Sequence, residues 1–414
     1  MSSDSRASGL GGRFWRLLAG SSLSNVTDGM RRIAFPWLAA TLTDNPLIVA
    51  AVAAAAGSAW LLFTLPGGVM ADRLDRRRVV VSSNLVRASV LGLIGALLLV
   101  DMAPVEILIP LALLIGWCEV MGDTSTQTMV PLLIDPEQRT RASGLVLATQ
   151  GVLSGLIGGP CAGLLCAVSI PAAFFAMAGT SLAAAGIVLT LRGEFRVTGP
   201  AERSGMLADF KDGVRWVWRQ PLLRDVGLAL GASNIFFAAA MAAFVLYARE
   251  VLGLSASGYG LLVSALAIGS IGGSLAAEHI ARRLGEERTF TLTFAGSTAS
   301  FAIVGFTSST IGAAIGLVLI GALFAAFDAV WTSLRWRIVP EELMGRVTGV
   351  LRFVEQAPGP VGALLAGPII LFGAFVSDRL FGLHLPYMTC TIVFAILGLI
   401  VRLRTRASLV AEQS

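Results

Sequence analysis

The sequence predicts an all-α membrane protein with about twelve transmembrane helices in two pseudo-symmetric six-helix bundles. Three observations carry this. First, only 14% of the 414 residues are charged while 55% are hydrophobic, and mean hydropathy is +0.79. A soluble domain carries about 25% charged residues, so a water-covered globular surface is excluded. Second, the apolar runs reach the roughly 20 residues a helix needs to cross a bilayer, far beyond the roughly ten of a barrel strand. Third, short motifs recur at an offset near half the chain length. The 46 glycines follow no triplet period, which excludes a collagen-like chain.

In order, the apolar stretches fall roughly at 14–43, 46–71, 79–101, 105–130, 142–167, 170–191, 225–248, 257–281, 289–308, 311–337, 347–375 and 382–403. Between them the loops alternate in charge. DRLDRRR (72–78), DPEQRTR (135–141), the 192–224 segment, ARRLGEER (281–288) and RWRIVPEELMGR (335–346) are basic, as are both tails. The other loops hold only Arg249 and Arg379 as basic residues. Positive charge marks the cytoplasmic side, so both termini are expected there, which requires an even number of spans. A plasma membrane, bacterial and inner, is the expected location. The net charge of +5 then reports basic loops against an anionic leaflet rather than nucleic acid. The start, MSSDSRASGLGGRFWR, lacks a cleavable-signal layout.

The expected organisation is a first bundle over 1–191, a cytoplasmic linker over 192–224 and a second bundle over 225–414. Within the linker, MLADFKDGVRWVWRQPLLR reads as an amphipathic helix on the inner membrane surface, with Trp216 and Trp218 at the interface. Gly68 and Gly273 lie 205 residues apart, as do Arg141-x-x-Gly144 and Arg346-x-x-Gly349; Val130-Pro131 and Val339-Pro340 lie 209 apart. Parallel repeats of this kind mark transporters whose binding site lies between the repeats.

Several chemistries are excluded or disfavoured. Cys118, Cys161, Cys166 and Cys390 lie in or beside apolar stretches without a C-x-x-C spacing, and His279 and His384 are far apart. No metal or cofactor is expected. The only lysine, Lys211, precedes Asp212, so no Walker A phosphate loop exists. Energy for uphill movement must come from an ion gradient or another subunit. An intramembrane enzyme would need a nucleophile or metal constellation, and no H-E-x-x-H occurs. A membrane sensor would normally bring a soluble domain, and the longest polar segment, about 30 residues, is too short for one.

Gly68-x-x-x-Asp72-Arg73-x-Asp75-Arg76-Arg77 lies between the second and third spans. It resembles the Gly-x-x-x-Asp-Arg-x-Gly-Arg-Arg/Lys pattern of the major facilitator superfamily, with Asp75 in place of glycine. With Asn84 and Arg87 after it, and with SNVTDGMRRIAFPWLAATLTDNP, CEVMGDTSTQTMVPLL and LRWRIVPEELMGRVTGVLRF, the chain is similar to the branch containing enterobactin, macrolide and drug exporters. The resemblance runs from about Leu17 to Leu403. It implies the major facilitator fold, with the first, fourth, seventh and tenth helices lining a central cavity. It also implies a gating latch at Gly68, Asp72, Arg73, Arg76 and Arg77, the arginines taking carboxylates from the other half. Simple topology, with arginines fixing orientation, is the alternative reading of this loop.

An ionisable group inside a span costs about 2.5–3.5 kcal/mol on insertion scales and marks function by default. The first span carries Arg31 and, at i, i+3, i+7 on one face, Asn25, Asp28 and Arg32. The fourth carries Glu119 and Asp123, the seventh Asn234 and the tenth Asp328. Burial disfavours an ionised carboxylate and a neighbouring arginine favours it, so such an acid can exchange a proton as its pairing changes. Asp28, with Arg32 as partner, is the expected proton site, followed by Glu119; a permanent structural pair is the alternative. Asp123 is either a proton site or a fixed partner of Arg76 or Arg77. Asp328 binds substrate or stabilises the second half. Arg352, Glu355 and Gln356 of the eleventh span, at i, i+3, i+4, could pair within the helix or meet the loop between the second and third spans, and are first read as structural.

The fifth span holds Gly151-x-x-x-Gly155-x-x-x-Gly159-Pro160-x-x-Gly163, a small-residue groove with a proline kink. It is similar to the family's antiporter motif; ordinary helix packing is the alternative. The family's helix-four Arg-x-x-x-Gly is absent, Cys118 standing four before Gly122. Trp37, Trp60, Trp117, Phe236, Phe237 and Trp331 could each shape an apolar site, but are first read as packing or lipid-facing. The expected activity is proton-coupled efflux of a small organic molecule (a drug, secondary metabolite or siderophore) by alternating access, conferring multidrug resistance, with a single chain sufficient. Sodium is the alternative ion, and a facilitator or symporter the alternative transporter.

Overall fold

The structure, a computed structural model, describes residues 10–193, 195 and 206–413; the side chains of 64–73, 206–209, 284, 286, 287, 341 and 404–413 lie outside that description. Its helices are α1 (Gly12–Leu42), α2 (Pro46–Arg73), α3 (Arg76–Leu99), α4 (Leu108–Leu133), α5 (Arg139–Gln150), α6 (Gly158–Val168), α7 (Ile170–Leu189), α8 (Met206–Arg219), α9 (Pro221–Glu250), α10 (Ala256–Leu284), α11 (Glu286–Phe306), α12 (Thr310–Ile338), α13 (Met344–Gln356), α14 (Gly359–Val376) and α15 (Arg379–Gln413). Among the described residues, eleven helical runs are long and apolar enough to span a bilayer, α5–α6 and α13–α14 each counting as one. The twelfth expected stretch is α1. Its 31 residues are ample, but Arg13, Arg16, Asp28, Arg31 and Arg32 dilute its apolar character.

The chain forms two compact units. One comprises Met1–Ala34 with Leu62–Ala201, the other Phe35–Leu61 with Glu202–Ser414. In the first unit α3 packs along α7 and α4. Asp75 caps α3 by accepting from the Arg78 N–H at 3.2 Å, and Ser169 caps α7 by accepting from the Ala172 N–H at 3.4 Å. Phe14, Leu17, Met129 and Val188 form part of a fully buried apolar core. The fifth span is not one regular helix. Gly151–Ile157 forms a π-helical turn, in which the Gly158 N–H reaches back five residues to the Leu153 carbonyl. Pro160, which has no N–H to donate, follows directly, and such interruptions are where membrane helices bend.

In the second unit α10 and α12 meet backbone to backbone. A Cβ on Gly269, Gly273 or Gly321 would lie 1.9–2.0 Å from the carbonyl oxygen of Val318, Ala322 or Leu266. The small-xxx-small spacing of Gly269 and Gly273 is the sequence cause. Gly273→Val is expected to destabilise the protein by more than the about 1–3 kcal/mol of ordinary overpacking, because the obstacle is backbone. Gly272→Val, where a Cβ meets nothing within 4 Å, should change stability by less than about 0.5 kcal/mol. Thermal unfolding in detergent compares the two, and equal losses would refute the close-approach account. The amphipathic α8 packs on α13, with Phe210 edge-on to Phe353 at 5.7 Å between ring centres, while Trp218 stays exposed.

The internal repeat is visible in the backbone. Short 3-10 turns at Pro136–Gln138 and Glu341–Leu343, 205 residues apart, precede α5 and α13. Both runs are then interrupted, the first by the π-helical turn and the second at Ala357 and Pro358. Arg249 and Arg379, the two basic residues of the charge-poor loops, are paired within the second unit. Arg379 donates to both Glu250 carboxylate oxygens at 2.6 and 2.8 Å, and Arg249 lies 3.8 Å from the Asp44 carboxylate.

Candidate functional site

The first unit buries a cluster of charges on α1, α3 and α4. Arg87 donates to Asp28, and Arg31 donates to Glu119. All four side chains are 3–6% exposed. The expected Asp28–Arg32 ion pair does not form: Asp28 is held by Arg87, while Arg32 is exposed and lies only within electrostatic range. The physical reason is that Arg87, 3% exposed in mid-α3, would otherwise be an uncompensated buried charge, whereas Arg32 is exposed. Close by, Ser24 donates to the Asn84 side chain at 2.9 Å, and Asn25 is buried.

Asp123 stands one turn along α4 from Glu119 and is half-buried. Among the described residues it makes no hydrogen bond or ion pair, although it lies within electrostatic range of Asp28, Glu119, Arg87 and Arg32. Neither Arg76 nor Arg77 serves as its partner. Arg76 donates to the Thr128 carbonyl at 3.1 Å, and Arg77 donates to the Leu189 carbonyl. Leu189 is the last residue of α7, and a cation is favoured at such a helix C-terminal carbonyl. The Nε groups of Arg31 and Arg87 have no hydrogen-bond partner among the described residues. Gly68, Asp72 and Arg73 lie on α2 with their side-chain positions outside the described residues.

The glycine-rich fifth span positions this cluster. A Cβ on Gly158 would lie 2.6 Å from Gly29 Cα, and one on Gly29 would lie 2.4 Å from the Ser154 carbonyl oxygen. Gly29 follows Asp28, so the close seat of α1 holds the acid in place. Gly155 belongs to the π-helical turn, and Gly159, Pro160 and Gly163 to α6, with Gly159 and Gly163 buried.

The second unit holds a cavity of about 310 Å³. Asn234 and Phe237 of α9, Asp328 and Trp331 of α12, and Glu355 and Gln356 of α13 line it, with phenylalanines from α11, α12 and α15. The Asn234 amide donates to the Glu355 carbonyl at 2.7 Å, and the Trp331 indole N–H donates to the Glu355 carboxylate at 2.8 Å. Asn234 and Asp328 both line this cavity. Glu355, read from sequence as structural, lines the cavity beside them. The signal that could have found it is Pro358-Gly359-Pro360 just beyond: broken membrane helices are tolerated where they border a cavity.

The aromatic candidates divide. Trp331 is buried and Phe237 lines the cavity, so both belong to the site. Trp37 stacks on Tyr259 at 5.8 Å and Trp117 meets Phe63 edge-on at 6.2 Å, while Trp60 is exposed. The Phe236 carbonyl accepts from the Cys390 thiol at 3.0 Å. No group of three His, Cys, Asp or Glu among the described residues could hold a metal ion.

A model described as Major Facilitator Superfamily matches residues 17–363. The chain belongs to the Major Facilitator Superfamily. It is 26% identical over 399 residues to the multidrug efflux pump Tap of Mycolicibacterium fortuitum, covering 93% of each chain. It is also 26% identical over 358 residues to the enterobactin exporter EntS of Shigella boydii serotype 4, covering 83% of this chain and 82% of that one. Among solved structures, a bacterial homologue of the human lysosomal transporter Spinster superposes with a TM-score of 0.74 at 13% identity, over 95% of this chain and 96% of that one. The nucleoside transporter NupG superposes with a TM-score of 0.70 at 13% identity, over 95% and 99%. Members of the Major Facilitator Superfamily are transporters rather than enzymes. The chain is a multi-pass membrane transporter for small molecules, and its relatives include efflux pumps.

Proposed function

We propose that the protein exports a small organic molecule across the bacterial inner membrane by alternating access, driven by proton entry, with both termini cytoplasmic and a single chain sufficient. One observation carries the coupling: three acids, Asp28, Glu119 and Asp123, share the interior of the first unit with only two directly paired arginines, Arg87 and Arg31. Charges this costly to bury are retained for work, and an acid without a fixed cation can take up and release a proton. Asn234 and Asp328 contact the cargo in this reading. The segment from Gly68 to Arg77, with Asp72, Arg73 and Arg76, closes the cytoplasmic face. The Gly155–Gly163 stretch with Gly159 and Pro160 keeps α1 seated as the cluster changes charge. The names of Tap and EntS favour a drug, secondary metabolite or siderophore as cargo.

The test uses purified protein. Compounds that raise its thermal midpoint are taken into proteoliposomes, and their flux is followed after a pH jump. A proton gradient should drive movement against the solute gradient, a protonophore should abolish it, and a sodium gradient should not replace it. Flux that ignores the pH jump would make the protein a facilitator, and sodium-driven flux would replace the coupling ion.

A further inference from the structure

We propose that the cavity inside the second unit is a binding site for a small hydrophobic ammonium ion, with Asp328 as its counter-ion. It is bounded by the rings of Phe237, Phe324, Phe327 and Trp331, and by the carboxylates of Asp328 and Glu355, with no cationic side chain in its lining. The two acids differ. Glu355 already accepts the Trp331 indole N–H and feels Arg335 and Arg352. Asp328 is exposed to the cavity and makes no hydrogen bond or ion pair among the described residues.

Ring faces attract cations, and the attraction grows as water is removed. A carboxylate among such rings keeps its charge only if water or a cation stays beside it, since a neutral apolar occupant would strip its solvent without compensation. An anion would meet two carboxylates. The volume of about 310 Å³ sits at the low end of the ~300–1,000 Å³ of ligand pockets. It has room for a single-ring ammonium. This inference names the cargo class of the transport reading, yet binding itself needs no gradient.

The probes are benzyltrimethylammonium and the similarly shaped, net-neutral N,N-dimethylbenzylamine N-oxide, titrated calorimetrically into the purified full-length protein. The ammonium should bind at least about tenfold more tightly, a difference of about 1.4 kcal/mol. Asp328→Asn should bring its affinity down to that of the N-oxide, while Asp328→Glu keeps the preference; unchanged thermal midpoints show that both variants fold. Equal affinity for the two probes in the unaltered protein, no ammonium binding, or full ammonium affinity in Asp328→Asn would each overturn the site. Proton-driven flux of another compound in a protein without ammonium preference would leave the transport reading standing. Ammonium binding without any driven flux would leave the site standing and remove the coupling.

Discussion

Asp28→Asn lowers the stability of the purified protein by about 3–5 kcal/mol, read as a fall in its thermal midpoint in detergent. The substitution is nearly isosteric, so packing does not explain the loss. Arg87 does: it is 3% exposed, its charge is answered by Asp28, and its Nε already has no partner among the described residues. Removing the carboxylate strands a buried guanidinium. Removing both charges together is a different experiment. Asp28→Leu combined with Arg87→Met exchanges a desolvated pair for apolar groups, which is commonly neutral or favourable for stability. The double variant should therefore recover most of the loss, and the coupling between the two positions should exceed the few tenths of a kcal/mol seen for independent sites. If Asp28→Asn is as stable as the unaltered protein, or the double variant is no better than the single, the pair is not what holds α1 to α3. Arg31 and Glu119 predict the same pattern between α1 and α4. One consequence concerns function: loss of transport in Asp28→Asn would not by itself identify the proton-carrying acid, because the fold around it changes too.

The sequence exposes those parts of the molecule that depend on neighbours along one helix. Apolar length gives the spans, and the offset of Gly68 with Gly273 anticipates paired backbone features such as the 3-10 turns at Pro136–Gln138 and Glu341–Leu343. The face shared by Asn25 and Asp28 is legible in the same way. Partners across a helix interface are not. Asp28 and Arg32 have the right spacing to pair, but spacing along α1 says nothing about what α3 presents, and Arg87 had the greater need of a counter-charge. Glu355 was hidden for a related reason. Its neighbours Arg352 and Gln356 suggest pairing within a turn, whereas the break at Pro358 turns it toward Asn234 and Trp331. In both cases long-range packing outweighed the local pattern, and in both the partner lies on another helix.

Asp123→Asn should abolish proton-driven movement while leaving solute exchange and stability intact, the stability change staying within about 0.5 kcal/mol. The groups around Asp123 come from three helices: Asp28 and Arg32 on α1, Arg87 on α3, and Glu119 on its own α4. Of these, Asp28 is held by Arg87, and Glu119 by Arg31. With Asp123 neutral, the two buried pairs balance one another. With Asp123 ionised, a third carboxylate competes for Arg87, so its proton is linked to the strength of the Asp28–Arg87 tie. Asparagine fixes the neutral condition. The variant should then exchange solute at a rate that no longer varies with pH, and an imposed proton gradient should produce no accumulation. Proteoliposomes carrying matched amounts of each variant separate the outcomes. Driven accumulation that survives in Asp123→Asn removes this acid from the coupling and returns the role to Asp28 or Glu119. Exchange that fails along with accumulation, in a protein whose thermal midpoint has also fallen, would make Asp123 a structural member of the cluster instead. The contrast with Asp28→Asn is the deciding one, because one acid is bound to its arginine and the other is not: stability should be lost at the first position and proton dependence at the second.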